Sequence, residues 1–125
     1  MGAGPGSGPP YRIGQGYDSH RLAAIGEGRP LVVGGVAFDS PVGPVAHSDG
    51  DALMHAITDA VLGAIGLPDI GQIFPDSDPA WRGVESRTFL AEAVRRAGSA
   101  GWRIGNVDAT VILDAPKLGP RKSEV

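Results

Sequence analysis

The sequence predicts one α/β (α+β) domain, a small mixed β-sheet with helices packed on one face. Three observations point there. Short β-rich runs occur at Tyr11–Asp18 and Leu31–Phe38, two later stretches repeat apolar residues at helical spacing, and a long β-rich run fills Arg103–Leu113. Strands and helices are therefore interspersed, and such elements bury their apolar faces best as layers. A chain of 125 residues holds one such domain and a modest core.

The elements follow in order. Residues 1–10, "MGAGPGSGPP", read as a flexible Gly/Pro-rich tail, with neither the basic start and apolar block of a secretory signal nor the arginines of a transit peptide. Residues 11–125 form the domain. "YRIGQGYDSH" predicts a strand over Tyr11–Asp18, and "RLAAIGEGRP" a polar loop. "LVVGGVAF" predicts a hairpin, because the primed turn between its two runs needs positive φ at both central residues, which Gly34-Gly35 supplies.

"DSPVGPVAHSDGD" reads as a loop. Ser48-Asp49-Gly50-Asp51 has the form of a capping box, so a helix is expected to start near Ser48. Its apolar face is Leu53, Ile57, Ala60, Val61, Ala64 and Ile65, and Gly66 and Pro68 end it. Asp51, His55 and Asp59 stack four residues apart on the other face. "DIGQIFPDSDPAWRG" is expected to be a long loop. A second helix is expected over Ser86–Ala97 with Phe89, Leu90, Ala93, Val94 and Ala97 inward. The strand over Arg103–Leu113 is stopped by Pro116.

Composition removes several functions. A net charge of −3 leaves no broad basic face, so nucleic acid is not an expected partner. No apolar run approaches the ~20 residues of a membrane span. With no cysteine, thiolate metal sites and disulfides are excluded, which suits a cytoplasmic protein.

The three histidines carry the chemistry. In an extended run, residues i and i+2 face one side, so Asp18 and His20 point together. A helix bringing His55 would add a second imidazole. Two imidazoles and a carboxylate leave one tetrahedral position open, the arrangement of catalytic rather than structural zinc. Spacing alone leaves this open against a solvated D-x-H and a solvated helix histidine. His47 could cap the helix, and Asp51 and Asp59 could be a polar face, with Asp51 favoured at the helix N-terminus by the dipole.

Several segments occur in one order: "RIGQGYDSHRL", "LVVGGVAF", "AHSDGDALMHAITDAVLGAIGLPDIGQIFPDSDPAW", "SRTFL" and "NVDATVILDAPKLGP". From about Arg12 to Pro120 they resemble the 2-C-methyl-D-erythritol 2,4-cyclodiphosphate synthase family of the non-mevalonate isoprenoid pathway. The resemblance implies a homotrimer with active sites between neighbouring subunits. It implies conversion of 4-diphosphocytidyl-2-C-methyl-D-erythritol 2-phosphate to the cyclic diphosphate and CMP, in a bacterial cytoplasm. It implies zinc on Asp18, His20 and His55, and a second divalent ion, magnesium or manganese, on the diphosphate.

The remaining roles are implied in the same way. His47, the catalytic candidate, and Ser48 fall in a mobile loop that meets the methylerythritol phosphate portion. An imidazole there can donate to a phosphoryl oxygen as charge develops. Ser19 joins Asp18 and His20 among the substrate contacts. Asp69, Ile70 and Gly71 match a segment binding sugar hydroxyls. Phe74, Pro75, Asp76, Ser77 and Asp78 match an adjacent loop, with Ser77 where threonine is commoner. Leu113, Asp114, Ala115, Pro116, Lys117, Leu118 and Gly119 match the wall of a cytidine pocket. Without the resemblance, Pro116 reads as a strand stop and Lys117 as a surface lysine.

The sequence departs from the family in one respect. Members continue for roughly another third of a domain, with a "TTTE"-like segment and a Gly-rich stretch. That part supplies the second metal's carboxylate, diphosphate contacts, a strand and a helix. The expectation is a fragment of a longer protein. Alternatives are an inactive zinc-binding fragment, a metal-dependent phosphate-ester hydrolase with the same ligands, and a non-enzymatic binding module.

Overall fold

The structure, a computed structural model, describes residues 8–125, so residues 1–7 of the expected tail lie outside the described residues. The chain order is β1 (Leu31–Val33), β2 (Val36–Phe38), α1 (Ala52–Ala64), α2 (Ile70–Ile73) and α3 (Ser86–Ser99). Short 3-10 turns lie at Pro79–Trp81 and Gly119–Glu124.

The hairpin forms as the glycine pair requires. Leu31 pairs with Phe38, Val32 with Ala37 and Val33 with Val36, antiparallel, and Gly34 and Gly35 take φ of 59° and 80°. Leu31, Val33 and Phe38 turn inward, where Val36, Leu53, Leu113 and Leu118 pack on them.

α1 begins at Ala52, not near Ser48. The N-cap is Asp51, whose carboxylate accepts from Met54 N at 3.1 Å. The expected capping box does not form, because Ser48 Oγ accepts from Gly50 N and faces the His55 ring, while the Asp51 amide donates to Asp49 instead. Asp51 is not a solvated face residue either. It is fully buried and accepts from Gly34 N at 2.9 Å and Gly35 N at 2.7 Å. One carboxylate thus joins the hairpin turn to the start of α1.

The main core lies between α1 and α3. Val61 and Leu62 meet Ala93 and Ala97, with Ile57, Ile65, Leu67, Ile73, Leu90 and Trp102 around them. Fully burying one such side chain contributes about 1.5–3 kcal/mol. α3 reaches Ser99, two residues beyond expectation, and Val94 is exposed rather than inward. Its alanine-rich inner face lets α1 approach closely, and Val94 lies off that stripe.

Two expected strands are absent. The sheet among the described residues is the two-stranded antiparallel β1-β2, not a mixed sheet, and neither Tyr11–Asp18 nor Arg103–Leu113 joins it. Side-chain alternation marks an element that can pair, but a strand needs a backbone partner. Instead, residues 14–16 cross α1 antiparallel to it. A Cβ on Gly14 would stand 1.8 Å from the Ala60 carbonyl oxygen, and one on Gly16 1.7 Å from that of Ala56. Both segments border one groove of about 1760 Å³.

The 69–83 stretch is not wholly loop. Asp69 caps α2 through Gln72 N at 3.0 Å, and Asp78 caps the Pro79–Trp81 turn through Ala80 N at 3.0 Å. The aspartates and prolines that mark loops also start helices. No helix among the described residues is long and apolar enough to cross a membrane.

Candidate metal centre and substrate cleft

The centre is assembled from a segment and a helix. Gly14 and Gly16 let the N-terminal segment lie directly on α1. Asp18 and His20, further on at the same two-residue step, then reach His55 on the first turns of that helix. Asp18 Oδ2 lies 3.0 Å from His20 Nδ1 and 3.4 Å from His55 Nδ1. One donor atom from each of the three residues lies within 4.8 Å of the others. Donors bound at ~2.0 Å with tetrahedral angles stand roughly 3.3 Å apart, so this spacing fits one small cation.

Two buried atoms point to the same place. Asp18 Oδ2 and His20 Nδ1 are shielded from solvent, and neither makes a hydrogen bond. Buried polar atoms rarely go unpartnered, and a cation between them would serve both. Burial raises the Asp18 pKa, but the adjacent His20 and His55 imidazoles outweigh it and bring the value to about 2. The Asp18 carboxylate in turn raises the His20 pKa, with lesser help from Asp49 and Asp76, against burial.

Around this corner is a cavity of about 250 Å³. Asp18, His20 and His55 line it with His47, Ser48, Ile70, Gly71, Phe74 and Asp76. His47 sits on a loop held from behind by Arg29, whose guanidinium donates to the Ala46 and His47 carbonyls, both at 2.8 Å. His47 Nε2 donates to the Asp78 carbonyl at 3.3 Å. α2 is set by Asp59, which accepts from Ile70 N at 2.7 Å. Burial raises the Asp59 pKa, that amide lowers it, and Asp69 and Asp18 raise it further. Asp59 is thus a bracket for α2 and not merely a polar face.

The other expected residues are spread more widely. Ser19, Asp69, Pro75, Ser77 and Asp78 are not among the cavity's lining residues. Leu113, Asp114 and Ala115 border the larger groove, and Leu113 and Leu118 pack on the hairpin. Pro116, Lys117, Leu118 and Gly119 line neither space. The structure therefore brings together the metal corner and the His47 loop, but not the 113–119 wall.

Sequence reasoning missed Asp49, Trp81 and Ser86 and treated Phe89 only as core. Phe89 packs on His55 with ring centroids 6.0 Å apart and forms the cavity floor with Phe74 and Trp81. Fully buried Ser86 contacts His55 Nε2 at 2.7 Å. Its position at the start of α3 reads as helix capping, which hides this role.

Comparison with known proteins fits this geometry. Residues 11–125 match the YgbB family. The chain belongs to the YgbB family. A YgbB relative from Arabidopsis thaliana, "2-C-methyl-D-erythritol 2,4-cyclodiphosphate synthase, chloroplastic", is 55% identical over 93% of this chain and 49% of its own length. The synthase of Ralstonia pickettii is 60% identical over 87% of this chain and 63% of its own. Among solved YgbB structures, a 2C-methyl-D-erythritol-2,4-cyclodiphosphate synthase in a CDP-bound form superposes with a TM-score of 0.74 at 52% identity, covering 90% of this chain and 73% of that one. IspF of Plasmodium falciparum in a CDP complex also gives 0.74, at 39% identity over 90% and 67%. The chain spans about half the length of the plant relatives it matches and about two thirds of the bacterial ones.

Proposed function

We propose that the protein to which this chain belongs converts 4-diphosphocytidyl-2-C-methyl-D-erythritol 2-phosphate to 2-C-methyl-D-erythritol 2,4-cyclodiphosphate, releasing CMP. The observation that carries this is the Asp18, His20 and His55 donor set lining a cleft, in a chain of the YgbB family. An oxygen of the substrate's 2-phosphate bonds to the β-phosphorus. The bond from that phosphorus to the oxygen of the α-phosphate breaks, and CMP leaves with the electron pair.

Two anionic groups must meet within one molecule, so positioning and charge are what the protein supplies. Asp18, His20 and His55 would hold zinc, which when bound would offset charge on a diphosphate oxygen. A second ion, magnesium or manganese, would accompany the diphosphate. The His47 Nε2–H, now on the Asp78 carbonyl at a long 3.3 Å, is exchangeable for a phosphoryl oxygen, and Ser48 neighbours it. Asp69, Ile70 and Gly71 take the sugar hydroxyls. Phe74 and Asp76 line the cleft, and Ser19, Pro75, Ser77 and Asp78 would meet the substrate beyond it.

The 113–119 segment, the proposed cytidine wall, lies away from the cleft of its own chain. That supports a homotrimer whose active sites form between neighbouring subunits. A bacterial cytoplasmic setting belongs to the same reading, while plant relatives are chloroplastic.

Incubating the full-length protein with zinc, magnesium and substrate should give equimolar CMP and cyclic diphosphate. His55→Ala should bind less than a tenth of the zinc and lose turnover while keeping its helical circular dichroism. Release of inorganic phosphate without cyclisation would make the protein a hydrolase instead.

A further inference from the structure

Outside the ligand set, a hydroxyl held by a carboxylate meets the far side of His55. Asp49 accepts the Ser86 amide on Oδ2 at 2.9 Å, the Asp51 amide on Oδ1 at 3.0 Å, and the Ser86 hydroxyl also on Oδ1. Ser86 Oγ lies 2.7 Å from His55 Nε2, and Ser48 Oγ lies 3.3 Å from the same nitrogen. Ser86 is fully buried and His55 nearly so.

We infer that Asp49 and Ser86 form a positioning relay that fixes the tautomer of His55 and keeps Nδ1 open for the cation. This rests on the metal reading above. A hydroxyl has one proton and an ionised carboxylate only accepts, so the Ser86 proton goes to Asp49. Ser86 Oγ must then accept from His55, which places the imidazole proton on Nε2. Nδ1 keeps its lone pair, and Nδ1 is the atom 3.4 Å from Asp18 Oδ2.

The relay has a competitor to suppress. Without the Ser86 acceptor, Nε2 keeps only the longer 3.3 Å contact to Ser48 Oγ, and the imidazole gains by moving its proton to Nδ1 and donating to the Asp18 carboxylate. That hydrogen bond would occupy both atoms needed for the cation. A partner on the non-ligating nitrogen of a metal-bound histidine commonly has this orienting effect, and its loss costs about 10–100-fold in metal affinity.

The test has two independent arms. Long-range proton–nitrogen correlation on 15N-histidine-labelled, chelator-treated protein should show His55 protonated at Nε2 and bare at Nδ1. Zinc titration against a chromophoric chelator should show Ser86→Ala weakened about 10–100-fold, with Ser86→Thr near wild type and Asp49→Asn between. An Nδ1-protonated His55 in the wild type, or an unchanged zinc affinity in folded Ser86→Ala, would overturn the relay. If Ser86→Ala does not fold, the wild-type spectrum decides. If the wild type takes up no zinc, the metal reading fails while the tautomer still judges the relay.

Discussion

Asp51 gathers three backbone amides, those of Gly34, Gly35 and Met54, on one buried carboxylate. Removing it would leave three backbone amides, at the hairpin turn and the start of α1, without their acceptor. Asp51→Ala should therefore lose about 2–4 kcal/mol of stability in urea unfolding, a helix cap plus unmet hydrogen bonds. A loss below half a kcal/mol would contradict the clamp. Individual residues were unequally legible. Asp18, His20 and His55 are few and chemically distinctive, so they stood out before any fold was known. Asp49 and Ser86 did not, because serine and aspartate beside a helix start are explained by capping alone. Only the spatial meeting of two helix starts reveals that Ser86, held by Asp49, meets an imidazole.

At the scale of elements, the crossing of residues 14–16 over α1 sets where Asp18 and His20 arrive. Gly16→Ala would drive a methyl group to 1.7 Å from the Ala56 carbonyl oxygen, and the segment would have to lift. The expected result is loss of zinc binding with little change in helical circular dichroism, since α1 and α3 keep their own core. Zinc titration and a far-ultraviolet spectrum on the same sample check this. Full affinity would mean that the crossing does not place the ligands. Both long helices and the hairpin were readable because their signals are local: apolar spacing for α1 and α3, and Gly34-Gly35 for the turn. The expected strands at 11–18 and 103–113 were not borne out, because pairing depends on a partner that no local pattern supplies. α2 was overlooked since a four-residue helix has no periodicity to read.

For the whole molecule, the apolar surface is the main feature. Tyr11, Ile13, Tyr17, Ile104, Val107 and Ile112 are all exposed, several of them beside the large groove. Exposed apolar side chains in this number favour association. Sedimentation of the full-length protein should give a trimer, whereas a monomer at every concentration would remove the inter-subunit site from the proposal. A further consequence lies in α1. Asp51, His55 and Asp59, spaced like pegs along one axle, engage the β1-β2 turn, the cation corner and α2 respectively. Any slip or rotation of that axle would misalign all three attachments together. Occupancy at the cation corner should thus stiffen α2, roughly one helical turn away, without a separate linkage between them.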